Sequence, residues 1–436
     1  MEGIWPDERY AQASEAVALA CLELLTDEQR WIHRRVETID LLAQELVRRR
    51  VSVDFTLPEP LREDLRIGAG DDGPWCVPLA ILEKRPLRNF HLREHDEWRS
   101  ILGASSGGPI AAALVTAAAR LAVQPEALDP EIAGLLALVA RSDLDEAREA
   151  MIELRGRAEH APQIATILED ETSGYFLATF AESYLLIALL AEPGERRVLK
   201  YAYDEHLRLG DRASRARRLA RRLGWSPFVV DVAVPTAAHA ASYHAEVIVP
   251  EELRLDAWIV DTRTDELLST DIERAVDRAS LHAPRVALDA EPLLVAAICP
   301  ERADLPTLAF ATSAVTSLLL LFGAAFGDLS SPTAGSSVAL LLAGSILFAT
   351  AVARGGEHRL VRGIFAGPRW LLSIVAVTAL AAAASVAFGA DDGLRDAVWY
   401  SAGGLSLLAC LSLAVGFLKA ASLTRDPSRS GVHEDL

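Results

Sequence analysis

Four apolar runs near the carboxyl end constrain this chain more than any other feature. Residues 305–327 contain no ionisable Asp, Glu, Lys, Arg or His for 23 positions, 329–353 none for 25, 370–390 none for 21 and 397–418 none for 22. About 20 apolar residues cross about 30 Å of hydrocarbon as a helix. The runs therefore predict an all-α transmembrane bundle of four helices over 305–422, with a tail at 423–436.

The arginines orient the bundle. Arg354, Arg359, Arg362 and Arg369 lie between the second and third runs, and Lys419, Arg425 and Arg429 follow the fourth. The other two connections carry a single basic residue, Arg395, against Asp328, Asp391, Asp392 and Asp396. Basic loops stay cytoplasmic, which predicts both termini inside a multi-pass protein of a bacterial inner (plasma) membrane. Residues 1–20 contain Asp7, Glu8, Arg9 and Glu15 and no uninterrupted apolar stretch, so no secretory signal is expected there. Trp370, Trp399 and Tyr400 fall at run ends, where aromatic rings favour the interface. Gly335, Ala339, Ala343, Gly403 and Gly404 offer small faces for close helix contact, and with them a surface for homo-oligomers. No Asp, Glu, Lys, Arg or His lies inside a run, which argues against ion-coupled transport and for an anchor.

Everything before the runs is different. Residues from Glu301 onward hold 9 basic and 10 acidic side chains, leaving 34 and 51 for residues 1–300, a net charge of -17. Such a region repels phosphate backbones, so nucleic acid is not an expected partner. Cys21, Cys76, Cys299 and Cys410 form no close pair, which suits a reducing compartment and gives no zinc framework.

Apolar spacing in this first part predicts helix over 8–49, strands over 51–92, a helical insert over 100–170 and strands over 198–299. Pro109 and Pro130 are read as first-turn residues of helices. The expected architecture for 1–300 is one cytosolic α+β domain, an antiparallel sheet or β-sandwich with inserted helices.

Chemical signals are sparse. Gly103-Ala104-Ser105-Ser106-Gly107 fits the G-x-S-x-G pattern of a hydrolase elbow, which would make Ser105 a nucleophile. The preceding His95–Ser100 segment is too polar for the buried strand that such an elbow needs, and the favoured reading is a Gly/Ser loop before a helix. The same loop lacks the Lys-Ser/Thr of a phosphate-binding P-loop. His91 and His95, with Asp96, are spaced as metal ligands only on a helix, and Pro86 and Asn89 favour strand or loop there. No catalytic set, cofactor or metal is assigned.

The strongest charge cluster is Arg212, Arg215, Arg217, Arg218, Arg221 and Arg222, on an expected helix over 211–223. Its first reading is a solvated face pairing with surplus carboxylates. Its second is contact with anionic lipid, at about 1 kcal/mol per residue, and its third a patch for nucleic acid or a protein partner.

Ser242–Val247 and Val51–Pro58 resemble segments of uncharacterised bacterial membrane proteins built as a long cytosolic region followed by transmembrane helices. The resemblance supplies the plan and no activity. The sequence thus points to an inner-membrane protein whose acidic cytosolic domain binds an unknown protein partner or ligand, as scaffold or sensor. A membrane-perturbing effector and a tethered serine hydrolase are the alternatives.

Overall fold

The computed structural model describes residues 7–43, 45–67, 73–95, 97–123, 128–191, 196–206, 228–264, 266–269, 271–274, 277–287, 290–300, 305–326, 343, 346 and 358–423. Nearly all of the second apolar run and the whole 211–223 arginine segment lie outside them.

The chain opens with α1 (Asp7–Thr26) and a single turn, α2 (Glu28–Trp31). It then turns to strand, where helix is expected, with β1 (Ile32–Ala43) and β2 (Leu46–Phe55) pairing as a hairpin. The helical expectation for 8–49 therefore fails from Ile32 onward, for a specific reason. Inward positions of β1 carry Arg35 and Glu37 as well as Ile39 and Leu41. Two charges interrupt the period-2 apolar signal of a strand, while Ile39, Leu42 and Leu46 keep a helix-like spacing.

Next come β3 (Trp75–Glu83), β4 (Arg88–Glu94) and the short β5 (Glu97–Trp98). Five helices follow: α3 (Ala104–Ala122), α4 (Pro130–Arg141), α5 (Leu144–Ala158), α6 (Pro162–Glu169) and α7 (Glu171–Glu182). Side chains of Asp129, Asp143 and Asp170 accept the first free N–H groups of α4, α5 and α7, satisfying donors that have no partner within the helix. Pro130 starts α4 as expected, whereas Pro109 lies inside α3, which begins five residues earlier. The strands resume with β6 (Ser183–Leu190), β7 (Arg197–His206), β8 (Phe228–Ala233), β9 (Ser242–Ile248), β10 (Leu253–Asp261), β11 (Asp271–Arg274), β12 (Arg278–Pro284) and β13 (Pro292–Pro300).

The main sheet has the order β11-β12-β9-β1-β2-β7-β4-β5 and is antiparallel except where β9 runs parallel to β1. Two smaller sheets, β10-β13-β8 and β3-β6, accompany it. Odd-numbered residues of β2 from Val47 to Phe55 share one face, as alternation requires. Under that face lie two separate apolar cores. Val51, Val53, Phe55, Leu199 and Tyr201 join β3-β6 and helices α1 and α3–α7. Ile39, Leu41, Val47 and Tyr243 join β8, β10, β12 and β13 as a sandwich.

Three helices end the described chain: α8 (Leu305–Phe326), α10 (Ala366–Ala387) and α11 (Asp392–Leu423). Each is long and apolar enough to cross a membrane, so this is a membrane-anchored protein. Their outward faces hold exposed Leu318, Phe322, Val377, Leu380, Leu408 and Leu411, which suits lipid. Of the expected spans, the first, third and fourth fall on these helices, and the second falls mostly outside the described residues.

Between the second run and α10 sits a short helix, α9 (Arg359–Ile364), capped by the His358 ring, which accepts from Leu360 N–H at 3.3 Å. Arg359 and Arg362 face solvent. Leu360, Val361, Ile364 and Phe365 are buried in the second core, beside Ile39 and Leu41 of β1. The helix that leads into the bilayer is thus packed into the sandwich.

Candidate functional site in the seam between two cores

Arg49 stands on β2 between Val47 of the second core and Val51 of the first, and it is only 6% exposed. Its Nη1 donates to Glu37 Oε1 at 2.7 Å, and its Nη2 donates to the Ala233 carbonyl at 2.8 Å. Its Nε lies 2.7 Å from Glu205 Oε2, close enough for an ion pair but off the angle of a hydrogen bond. Glu37, 1% exposed, takes the Tyr243 hydroxyl on its other oxygen at 2.8 Å. A buried charge survives only when paired and hydrogen-bonded, and Glu37 meets both conditions.

Arg35 lies in the same seam, with 1% exposure. Its Nη2 donates to the Leu79 carbonyl at 3.2 Å. The β3–β6 register skips Leu79, passing from Pro78 to Ala80, so a bulge frees that carbonyl from the ladder.

Burial and charge shift these groups together. Burial opposes the Arg49 charge, yet Tyr203, Glu37 and Glu205 prevail and hold its pKa well above the ordinary value. Burial pushes Tyr201 up to about 12 and raises Tyr203 and Tyr243 as well. All three phenols therefore remain protonated donors at neutral pH.

Beside this network opens a cavity of about 260 Å³. It is lined by Arg49, Val51, Tyr201, Tyr203 and Glu205, with residues 81–83 and 85–87 beside them. Tyr201 and Tyr203 lie nearly parallel, with ring centres 6.2 Å apart. At the rim, Arg85 pairs with Glu83 at 2.7 Å, and Arg88 Nη1 lies 3.3 Å from His206 Nε2. An apolar cleft with a few fixed polar groups is the usual form of a small-molecule site.

None of these residues stood out in the sequence. Glu37, Arg49, Glu205 and Tyr243 come from four strands and are adjacent only after the sheet forms. The available signal was Arg49 itself, a charge on the inward phase of the otherwise apolar alternation Val47, Val51, Val53, Phe55.

The residues that the sequence did single out are placed elsewhere. Ser105 lies in the first turn of α3, and the segment before it offers the two-residue exposed edge strand β5 and an isolated bridge from Ile101 to Ala188 in place of a buried strand. Gly108, just beyond the motif, lets α3 approach α4, since a Cβ there would sit 3.1 Å from the Arg141 Cβ. His91 is on β4 with its ring against Trp98, and His95 is in the following turn at φ +49°; Asp96 lies outside the described residues. No group of three or more metal-ligating side chains occurs among the described residues. Arg212, Arg215, Arg217, Arg218, Arg221 and Arg222 all lie outside them.

Within the bundle, Trp399 is not the interface residue expected from its position at a run end. It is 1% exposed and donates Nε1–H to the Ala382 carbonyl at 3.0 Å, while Trp370 is 71% exposed. Gly323 makes the room: a Cβ there would stand 2.5 Å from the Trp399 ring. Gly403 packs equally closely on Leu321, whereas Gly404 faces open space.

A scan against protein-family models finds none that matches the chain, and no curated protein matches it either.

Proposed function

We propose that this protein is a membrane-anchored sensor whose sheet domain lies in the cytoplasm, binds a small molecule in the seam cavity and passes its occupancy to the bundle. The supporting observation is the seating of Leu360, Val361, Ile364 and Phe365 in the core that β1 shares with the seam. Glu37, at the cavity, and Ile39, in that core, are two residues apart on the same face of one strand. A shift of β1 or β8 on ligand binding therefore reaches the root of α10 through packed side chains, and close-packed cores transmit such shifts. The positions of Arg359, Arg362 and Arg369 support the cytoplasmic side for this loop, for the sheet domain and for both termini.

The test uses the full-length protein in inside-out vesicles. Thr236→Trp fills the cavity from its wall, and tryptic cleavage after Arg359 and Arg362 reports how firmly α9 is seated. The reading expects at least a threefold change in cleavage rate. An unchanged rate, with the introduced indole confirmed in the cavity by its fluorescence quenching, contradicts it.

A further inference from the structure

We infer that the ligand of the seam cavity is a purine nucleotide; this rests on the sensor reading above only for the site's purpose, not for its chemistry. Three features of the cavity define that chemistry. The inner end holds Glu37, Glu205 and Arg49, an excess of one negative charge. Both Glu37 oxygens are taken, by Arg49 and Tyr243, and one Glu205 oxygen faces Arg49. The other Glu205 oxygen has no hydrogen-bond partner among the described residues, so this end accepts donors. The N–H-bearing edge of a purine supplies them, and a carboxylate accepts such an edge without requiring a full positive charge.

The middle of the cavity is apolar and partly aromatic, with Tyr201, Tyr203, Val51, Ile81 and Leu87. Flat π-systems favour such walls, and base–aromatic stacking contributes about 1–3 kcal/mol. Nearer the surface Asp204 also lines the cavity, but Arg48 and Asn89 take its oxygens. At the rim, Arg85 is offset by Glu83, but Arg88 has no carboxylate partner among the described residues and stands beside His206. A phosphate group fits there, on a guanidinium and an imidazole. The 260 Å³ volume lies just under the roughly 300–1,000 Å³ of drug-sized sites, which admits one nucleotide and not two. The strong negative charge of the whole domain repels a polyanion, whereas a mononucleotide meets the local field of Arg88.

Titration calorimetry on the full-length protein in nanodiscs tests this with GMP, AMP, guanosine, inorganic phosphate and phenethylamine. Saturable binding of GMP or AMP is expected, at least tenfold tighter than guanosine, with no binding of phosphate alone. Glu205→Gln and the exposed Arg88→Ala should each weaken that binding at least tenfold. No nucleotide binding, nucleotide binding indifferent to both substitutions, or preference for phenethylamine overturns the assignment. The sensor reading is judged separately. A nucleotide that binds as expected without altering cleavage after Arg359 and Arg362 refutes the sensor and leaves the ligand standing. A cavity-filling substitution that alters cleavage while no nucleotide binds does the reverse.

Discussion

Arg49 donates to Glu37 at 2.7 Å, diagonally across the β1–β2 hairpin, at the point where two apolar cores meet under one sheet. A desolvated ion pair of this kind adds little net stability over an apolar pair, but losing one partner strands the other as an unpaired buried charge.

Arg49→Met should therefore destabilise the sheet domain by about 3–5 kcal/mol. Glu37→Leu should also destabilise it, by stranding Arg49 against Glu205 alone. The double substitution should cost clearly less than the sum of the two, because the stranded charge is gone. Denaturant midpoints of the full-length protein in detergent, followed by tryptophan fluorescence, give all three values. Simple additivity would show that the pair does not act as a unit.

Lys84 gives a pH signature. Its ammonium donates to the Val139 carbonyl at 2.9 Å beneath the surface, and burial pushes its pKa from 10.5 down to about 8, with Asp143 acting weakly the other way. Between those two values the unfolded chain carries a proton that the folded chain has lost, so stability rises with pH across that window. Lys84→Met should flatten the rise. Midpoints measured from pH 7.5 to 10.5 in both proteins check this, and equal slopes would remove Lys84 as the source.

The bundle makes a comparison of two neighbouring glycines. Gly403→Ala places a methyl 2.7 Å from Leu321 Cδ2, forcing α8 and α11 apart, while Gly404→Ala meets nothing within 4 Å. The first should cost about 1–3 kcal/mol by overpacking. The second should be neutral or slightly stabilising, since Ala favours helix over Gly. Gly323→Ala should resemble the first, because its methyl strikes the Trp399 ring. Thermal unfolding in nanodiscs ranks the three.

The anchor helices were legible because a charge-free run long enough to cross a bilayer depends on composition alone. Strand β2 was half legible: Val51 to Phe55 alternate cleanly, but its first half carries Arg48, Arg49 and Arg50. Strand β1 was hidden by Arg35 and Glu37 on its inward face. Those residues make sense only beside the Leu79 bulge and Arg49, partners that no local window contains. The site was invisible for the same reason, since its polar base is assembled by pairing of β2 with β1 and β7, and of β1 with β9. Trp399 was misplaced because distance from a run end does not reveal the notch that Gly323 leaves on another helix.

Hydrogen exchange over residues 358–366 tests the coupling most directly. In the full-length protein in nanodiscs, the amides of Val361 to Phe365 should exchange nearly as slowly as those of β1, since both belong to one core. Glu205→Gln, which loosens the Arg49 cluster at the cavity without touching α9, should speed exchange in this segment at least threefold, while Glu131→Gln on the far surface should not. Exchange in 358–366 that is fast from the outset, or identical in the wild type and Glu205→Gln proteins, would contradict the account.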